Sequence, residues 1–211
     1  LKDFQVDTFL YLGICNIKKK ENEKAIEFLK RSLKLNPDHE YANLNLGLVY
    51  FSNKNLNISL KYIKKSLDIN NKNQLAIYHI GLINLAQRKY DEAEKYFLKL
   101  LEINSNDSNA LLNLGIIYNK TNNRTKSVEM YEKLIKINPN NIYAYNNLGL
   151  TYFDNLNFDK AIECYENCIK IDPKFISAYG NLGRTYLELR NFDKALLNFN
   201  KVKKINPTDY N

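Results

Sequence analysis

Histidine and cysteine are scarce in this chain of 211 residues, with two of the first and three of the second. Neither a Ser-His-Asp nor a Cys-His arrangement can be assembled around His39 or His79. Cys164 and Cys168 lie one helical turn apart and could supply half a metal site, but no second His/Cys pair exists to complete it. No cofactor and no metal are expected, and catalysis by this segment is not expected either. Three cysteines suit a reducing compartment, and they read as core thiols. Long apolar runs are also missing, so no membrane span is expected. No basic-apolar-small segment opens the chain, which leaves secretion without support. The expected location is intracellular, cytoplasmic or nuclear.

Glycine and proline are rare too, at seven and four, and their placement organises what is present. Gly13, Gly47, Gly81, Gly115, Gly149 and Gly183 follow one another at intervals of 34 residues. All four prolines, Pro37, Pro139, Pro173 and Pro207, fall in one other column of that register. Each period holds two amphipathic runs of helical length. In the fifth, Tyr145, Leu148 and Tyr152 share one stripe of the first run, and Ala161, Ile162, Tyr165, Cys168 and Ile169 share one of the second. A glycine inside a helix costs about 1 kcal/mol relative to alanine. Its return in every period points to close approach of the second helix, with small residues Ala25, Ser59, Ala93, Ser127, Ala161 and Ala195 at the contact. Asn-rich turns separate the two runs, and asparagine tolerates the left-handed conformation such turns use. Proline ends the period, and Asn71 and Ser105 in its place predict looser ends for the second and third units.

The interval and the column residues Leu148-Gly149, Tyr152, Ala161, Tyr165 and Pro173, repeated as Leu182-Gly183, Tyr186, Ala195, Phe199 and Pro207, resemble the tetratricopeptide repeat. The resemblance implies an all-α, right-handed superhelical solenoid of six tandem helix–turn–helix repeats forming one domain. The units are 6–39, 40–73, 74–107, 108–141, 142–175 and 176–209, and the first helix of the first unit is expected near Asp7–Lys19. Residues 1–5 then read as the tail of a preceding repeat and residues 210–211 as the start of another, as in a segment of a larger protein.

The net charge of +8 raises the question of nucleic acid. Lys18-Lys19-Lys20, Lys61/Lys64/Lys65 and Lys201/Lys203/Lys204 are spread over different units, which favours a solvated basic face, and no nucleic-acid partner is expected. The resemblance directs function to protein–protein interaction: a scaffold or adaptor binding a partner peptide or helix along the concave groove lined by first helices. It places one column in that groove, Tyr11, Asn45, His79, Asn113, Asn147 and Asn181. A side-chain amide can donate to and accept from an extended backbone without reading its sequence. The same ladder is similar to that in superhelical tetratricopeptide arms such as that of the O-linked N-acetylglucosamine transferase. An asparagine that merely pads the groove is the competing reading. Leu48, Leu82 and Ile116 follow one turn later as apolar anchors, unless packing between units buries them.

The expected peptide-binding residues are therefore Asn45, His79, Asn113, Asn147, Asn181, Leu48, Leu82 and Ile116. Two other readings stand beside the scaffold: a non-catalytic, substrate-presenting arm of a larger glycosyltransferase, or a self-association module forming a homo-oligomer. Docking of acidic chaperone tails is not expected, because the flanking columns that need Lys and Asn are aliphatic here.

Overall fold

The computed structural model describes residues 2–207, with side chains from Asp3 onward; Leu1 of the expected leading tail, residues 208–209 of the sixth unit and the expected opening of a further repeat at Tyr210-Asn211 lie outside them. The described residues form twelve α-helices and no strand. They divide into two compact units, residues 1–105 and 106–211. In the first, α1 (Lys2–Lys18) pairs with α2 (Asn22–Leu35), α3 (Glu40–Ser52) with α4 (Leu56–Ile69), and α5 (Gln74–Ala86) with α6 (Tyr90–Ile103). In the second, α7 (Ser108–Lys120) pairs with α8 (Arg124–Ile137), α9 (Ile142–Asp154) with α10 (Phe158–Ile171), and α11 (Ile176–Glu188) with α12 (Phe192–Ile205). Inside each unit a second helix packs on the first helix of the next hairpin, and first helices also touch one another. The fold is all-α and repetitive.

Each hairpin closes around its glycine. A Cβ on Gly149 would sit 2.5 Å from the Tyr165 ring, and one on Gly81 would sit 2.8 Å from that of Phe97. Both rings are fully buried. The helices approach this closely because the side chain sixteen residues later occupies the space a Cβ would take. The small column beside it is equally buried, and Ser59 and Ser127 donate their hydroxyls to the carbonyls of Gly47 and Gly115 at 2.8 and 2.9 Å. A serine in this apolar contact is tolerated because its hydroxyl finds a partner.

The structure departs from the sequence expectations at four places. Helix α1 starts at Lys2, five residues ahead of the expected Asp7, with Gln5 in the N-cap column of His39, Asn73, Asp107 and Asn141. Those four residues each accept a bond from the backbone N–H three residues on; nothing comparable interrupts α1. The ends of α4 and α6 match the proline-ended ones, each with one extended residue, Asn70 or Asn104, whose N–H bonds back into the helix. The residue before the proline column does the stopping: Asn36, Asn70, Asn138 and Asp172 accept the N–H two residues on through their side chains.

The hairpin turns hold the third difference. Their left-handed residues are Lys20, Lys54, Arg88, Asn122, Leu156 and Arg190, all with φ between 55° and 61°. Only one is asparagine, so the close packing of the two helices imposes this conformation on whatever residue arrives there. The fourth is Cys15, which is exposed rather than buried. Its column is covered at Val49 by the neighbouring α2, whereas no helix among the described residues precedes α1.

Candidate functional site

The expected binding columns lie on the first helices and are found in two groups. In residues 1–105, α3 carries Asn45 and Leu48 and its neighbour α5 carries His79 and Leu82, all partly buried. The two helices meet where the His79 ring stands edge-on to Phe51 at 5.1 Å and to Tyr78 at 5.4 Å. His79 Nδ1 is buried with no hydrogen-bond partner, and burial holds its pKa below the usual imidazole value. Asn45 donates its amide to the Tyr41 carbonyl one turn back, at 2.8 Å.

In residues 106–211, α7 carries Asn113 and Ile116, α9 carries Asn147 and α11 carries Asn181. Asn113 is 7% exposed and donates to the Asn109 carbonyl at 2.8 Å. Asn181 donates to the side-chain oxygen of Asn146 at 2.9 Å, tying α11 to α9. Asn147 is partly buried. Ile116 packs against the cluster of Tyr131, Leu148 and Cys164. In α11 the anchor column carries Arg184, whose guanidinium lies 5.2 Å from the centre of the Phe153 ring.

Three of the five ladder residues thus have one amide N–H engaged within the protein. What remains is an amide oxygen and a second N–H for each, partly open to a passing backbone at Asn45 and Asn181 and buried at Asn113. Leu48, Leu82 and Ile116 are neither sealed nor fully open, in contrast to Leu46, Ile80 and Leu114 two residues earlier, all at 0% exposure.

Cys164 and Cys168 are buried, and burial pushes both thiols up to about 12. Neither is a nucleophile near neutral pH. Among the described residues no group of three or more His, Cys, Asp or Glu side chains could hold a metal, and no helix is long and apolar enough to cross a membrane.

The clearest concavities occur elsewhere. One of about 720 Å³ opens between α8 and α9 beside Arg124, whose Nε is buried without a partner. Arg124 replaces the aromatic that Tyr90, Phe158 and Phe192 supply in its column, and an extended guanidinium fills that corner less completely than a ring. A second, of about 460 Å³, lies between α8 and α10 over Tyr145, Leu148 and Tyr152. Its signal was in the sequence: Cys164 occupies a column otherwise holding Phe28, Tyr62, Tyr96, Met130 and Asn198.

The family model described as tetratricopeptide repeat matches residues 142–175 and 176–209, and a further TPR repeat model matches residues 117–155. This is a tetratricopeptide-repeat protein. Over residues 8–100 the tetratricopeptide chain matches the model for the anaphase-promoting complex, cyclosome, subunit 3. No match was found among the curated proteins. Among solved structures it is similar to PilW, a widely conserved type IV pilus biogenesis factor, at 16% identity with a TM-score of 0.85, over 97% of this chain and 95% of that one. It is similar to MamA at 26% identity and a TM-score of 0.73, over 77% and 95%. YrrB, described as a TPR protein with an unusual peptide-binding site, matches at 22% identity and a TM-score of 0.66, over 86% and 93%. Tetratricopeptide-type helical repeats are generally protein-interaction scaffolds.

Proposed function

We propose that this tetratricopeptide protein is a non-catalytic scaffold that captures a segment of a partner polypeptide against its first helices. Within residues 1–105 the partner's backbone meets the remaining amide groups of Asn45 and the imidazole of His79, and within residues 106–211 it meets the amide groups of Asn113, Asn147 and Asn181. Its apolar side chains rest on Leu48, Leu82 and Ile116. The observation that supports this reading is the contrast in burial along the first helices, where the anchor column stays partly open while the hairpin core two residues earlier is sealed. Each amide bond contributes roughly 1 kcal/mol net, so affinity comes mainly from the apolar contacts and the ladder supplies tolerance of sequence.

The test is a peptide selected from a random display library on the wild-type protein and measured by fluorescence polarisation. Leu82→Asp, which places a charge in the anchor column, and Asn113→Ala are each expected to weaken binding of peptides that dock on their own unit, the first by tenfold or more. Unchanged affinity in both variants, with helical content intact, would move the binding face elsewhere.

A further inference from the structure

The cavity between α8, α9 and α10 has a counterpart three periods earlier, where a ring stands in the place of the Cys164 thiol. Tyr50 and Tyr62 stand at the positions that Tyr152 and Cys164 occupy 102 residues later. In the earlier hairpin the rings stack, with centroids 6.0 Å apart and planes 6° from parallel. In the later one the second ring is replaced by a short thiol, and about 460 Å³ stays open beside Tyr152. A void of roughly 150 Å³ lined by aliphatic and aromatic side chains is enough to hold benzene. The walls here are Ile135, Tyr145, Leu148, Tyr152 and Cys164, with carboxylates at the edge from Glu132 and Glu163. Glu132 already reaches the Tyr152 hydroxyl at 3.4 Å.

We propose that this cavity takes an aromatic side chain of a partner polypeptide, tyrosine or tryptophan. The ring lies on Tyr152 as Tyr62 lies on Tyr50, and its O–H or N–H is donated to Glu132 or Glu163. Offset stacking between rings at such separations is favourable beyond the area it buries, and Ile135, Leu148 and Cys164 offer apolar surface to the rest of the ring. The carboxylates favour a ring with a donor over phenylalanine. Lys160 lies 5.2 Å from the Tyr152 centroid and borders the cavity, but its charge ends a flexible stem and can yield to an incoming ring. None of these residues belongs to the ladder, although Leu148 and Cys164 also pack against the anchor Ile116.

N-acetyl-L-tyrosinamide titrated into isotopically labelled protein tests it through amide chemical shifts. Saturable shifts are expected for residues 132–136, 145–152 and 160–167, with none in residues 50–63, where Tyr62 already fills the slot. Cys164→Tyr restores the ring seen at Tyr62 and is expected to weaken the probe at least tenfold. Cys164→Met, the residue of the Met130 position, serves if the tyrosine variant loses its fold. Cys164→Ala retains binding. N-acetyl-L-leucinamide is expected to bind at least threefold more weakly than the tyrosine probe. Absence of saturable shifts in the wild type, undiminished binding in the filled variant, or equal binding of the leucine probe would overturn the proposal.

Discussion

Residues 1–105 and 106–211 are built from the same hairpin but start their second helices differently. In the later unit Asn123, Asn157 and Asn191 each accept a backbone N–H through the side chain, at 3.2–3.3 Å. In the earlier one Glu21, Asn55 and Lys89 make no such bond. The later unit also sets a lysine over a tyrosine in every hairpin, Lys126 on Tyr118, Lys160 on Tyr152 and Lys194 on Tyr186, at 5.1–5.2 Å. Yet the turn backbone is the same throughout, with the N–H of the cap residue bonded five residues back at 2.7–2.9 Å in all six hairpins. The difference teaches that side-chain caps and cation–π pairs are additions. The glycine contact and the left-handed turn are the shared determinants.

The comparison can be broken most directly at the shared contact. Tyr165→Ala in the later unit and Phe97→Ala in the earlier one should each cost about 3–5 kcal/mol, as truncation of a sealed aromatic does. Urea denaturation that found one near zero would end the claim of a common lock. Gly149→Ala comes next, at about 1–3 kcal/mol, since its new Cβ must displace the buried Tyr165 ring. Gly180→Ala in the same unit meets nothing within 4 Å and should stabilise by up to about 1 kcal/mol.

The caps sharpen the contrast at smaller scale. Asn157→Ala is expected to lower stability by about 1 kcal/mol, and Asn55→Ala by a few tenths at most, since only the first loses a bond. Leu156→Gly should raise it by about 1 kcal/mol, because Leu156 is 75% exposed and held at φ 59°. The last test is pH. Burial holds His79 below its ordinary 6.5, so the unfolded chain binds the proton more readily than the folded one. Its contribution is fully present above 6.5 and is lost as pH falls from there toward the depressed value. Denaturation midpoints at pH 8 and 5.5 should reveal the drop, and His79→Asn, the residue of the column in residues 106–211, should reduce it.

Much of the fold was legible because the glycine interval and the helical stripes record contacts made inside each period. The helix ends were less so. Proline drew attention at Pro37 and Pro139, whereas the residues that shape those ends are Asn36 and Asn138, which are hidden among many other asparagines. Left-handed turns at Lys54, Arg88 and Leu156 carry no sequence mark, since tertiary packing imposes them. Of the candidate site, the columns could be placed by register. Whether an amide bonds back to its own helix, as Asn45 does, or across to a neighbour, as Asn181 does, depends on a side-chain torsion that register does not contain. The ring-sized gap at Cys164 was readable from a column that holds rings at Phe28, Tyr62 and Tyr96.

The glycine and the side chain that fills its place always belong to the same stretch of 34 residues. A duplication or deletion in the gene that adds or removes one such stretch carries both halves of the fit together and leaves no steric orphan behind. The length of the array is thereby free to drift between descendants while the shape of every member is inherited intact.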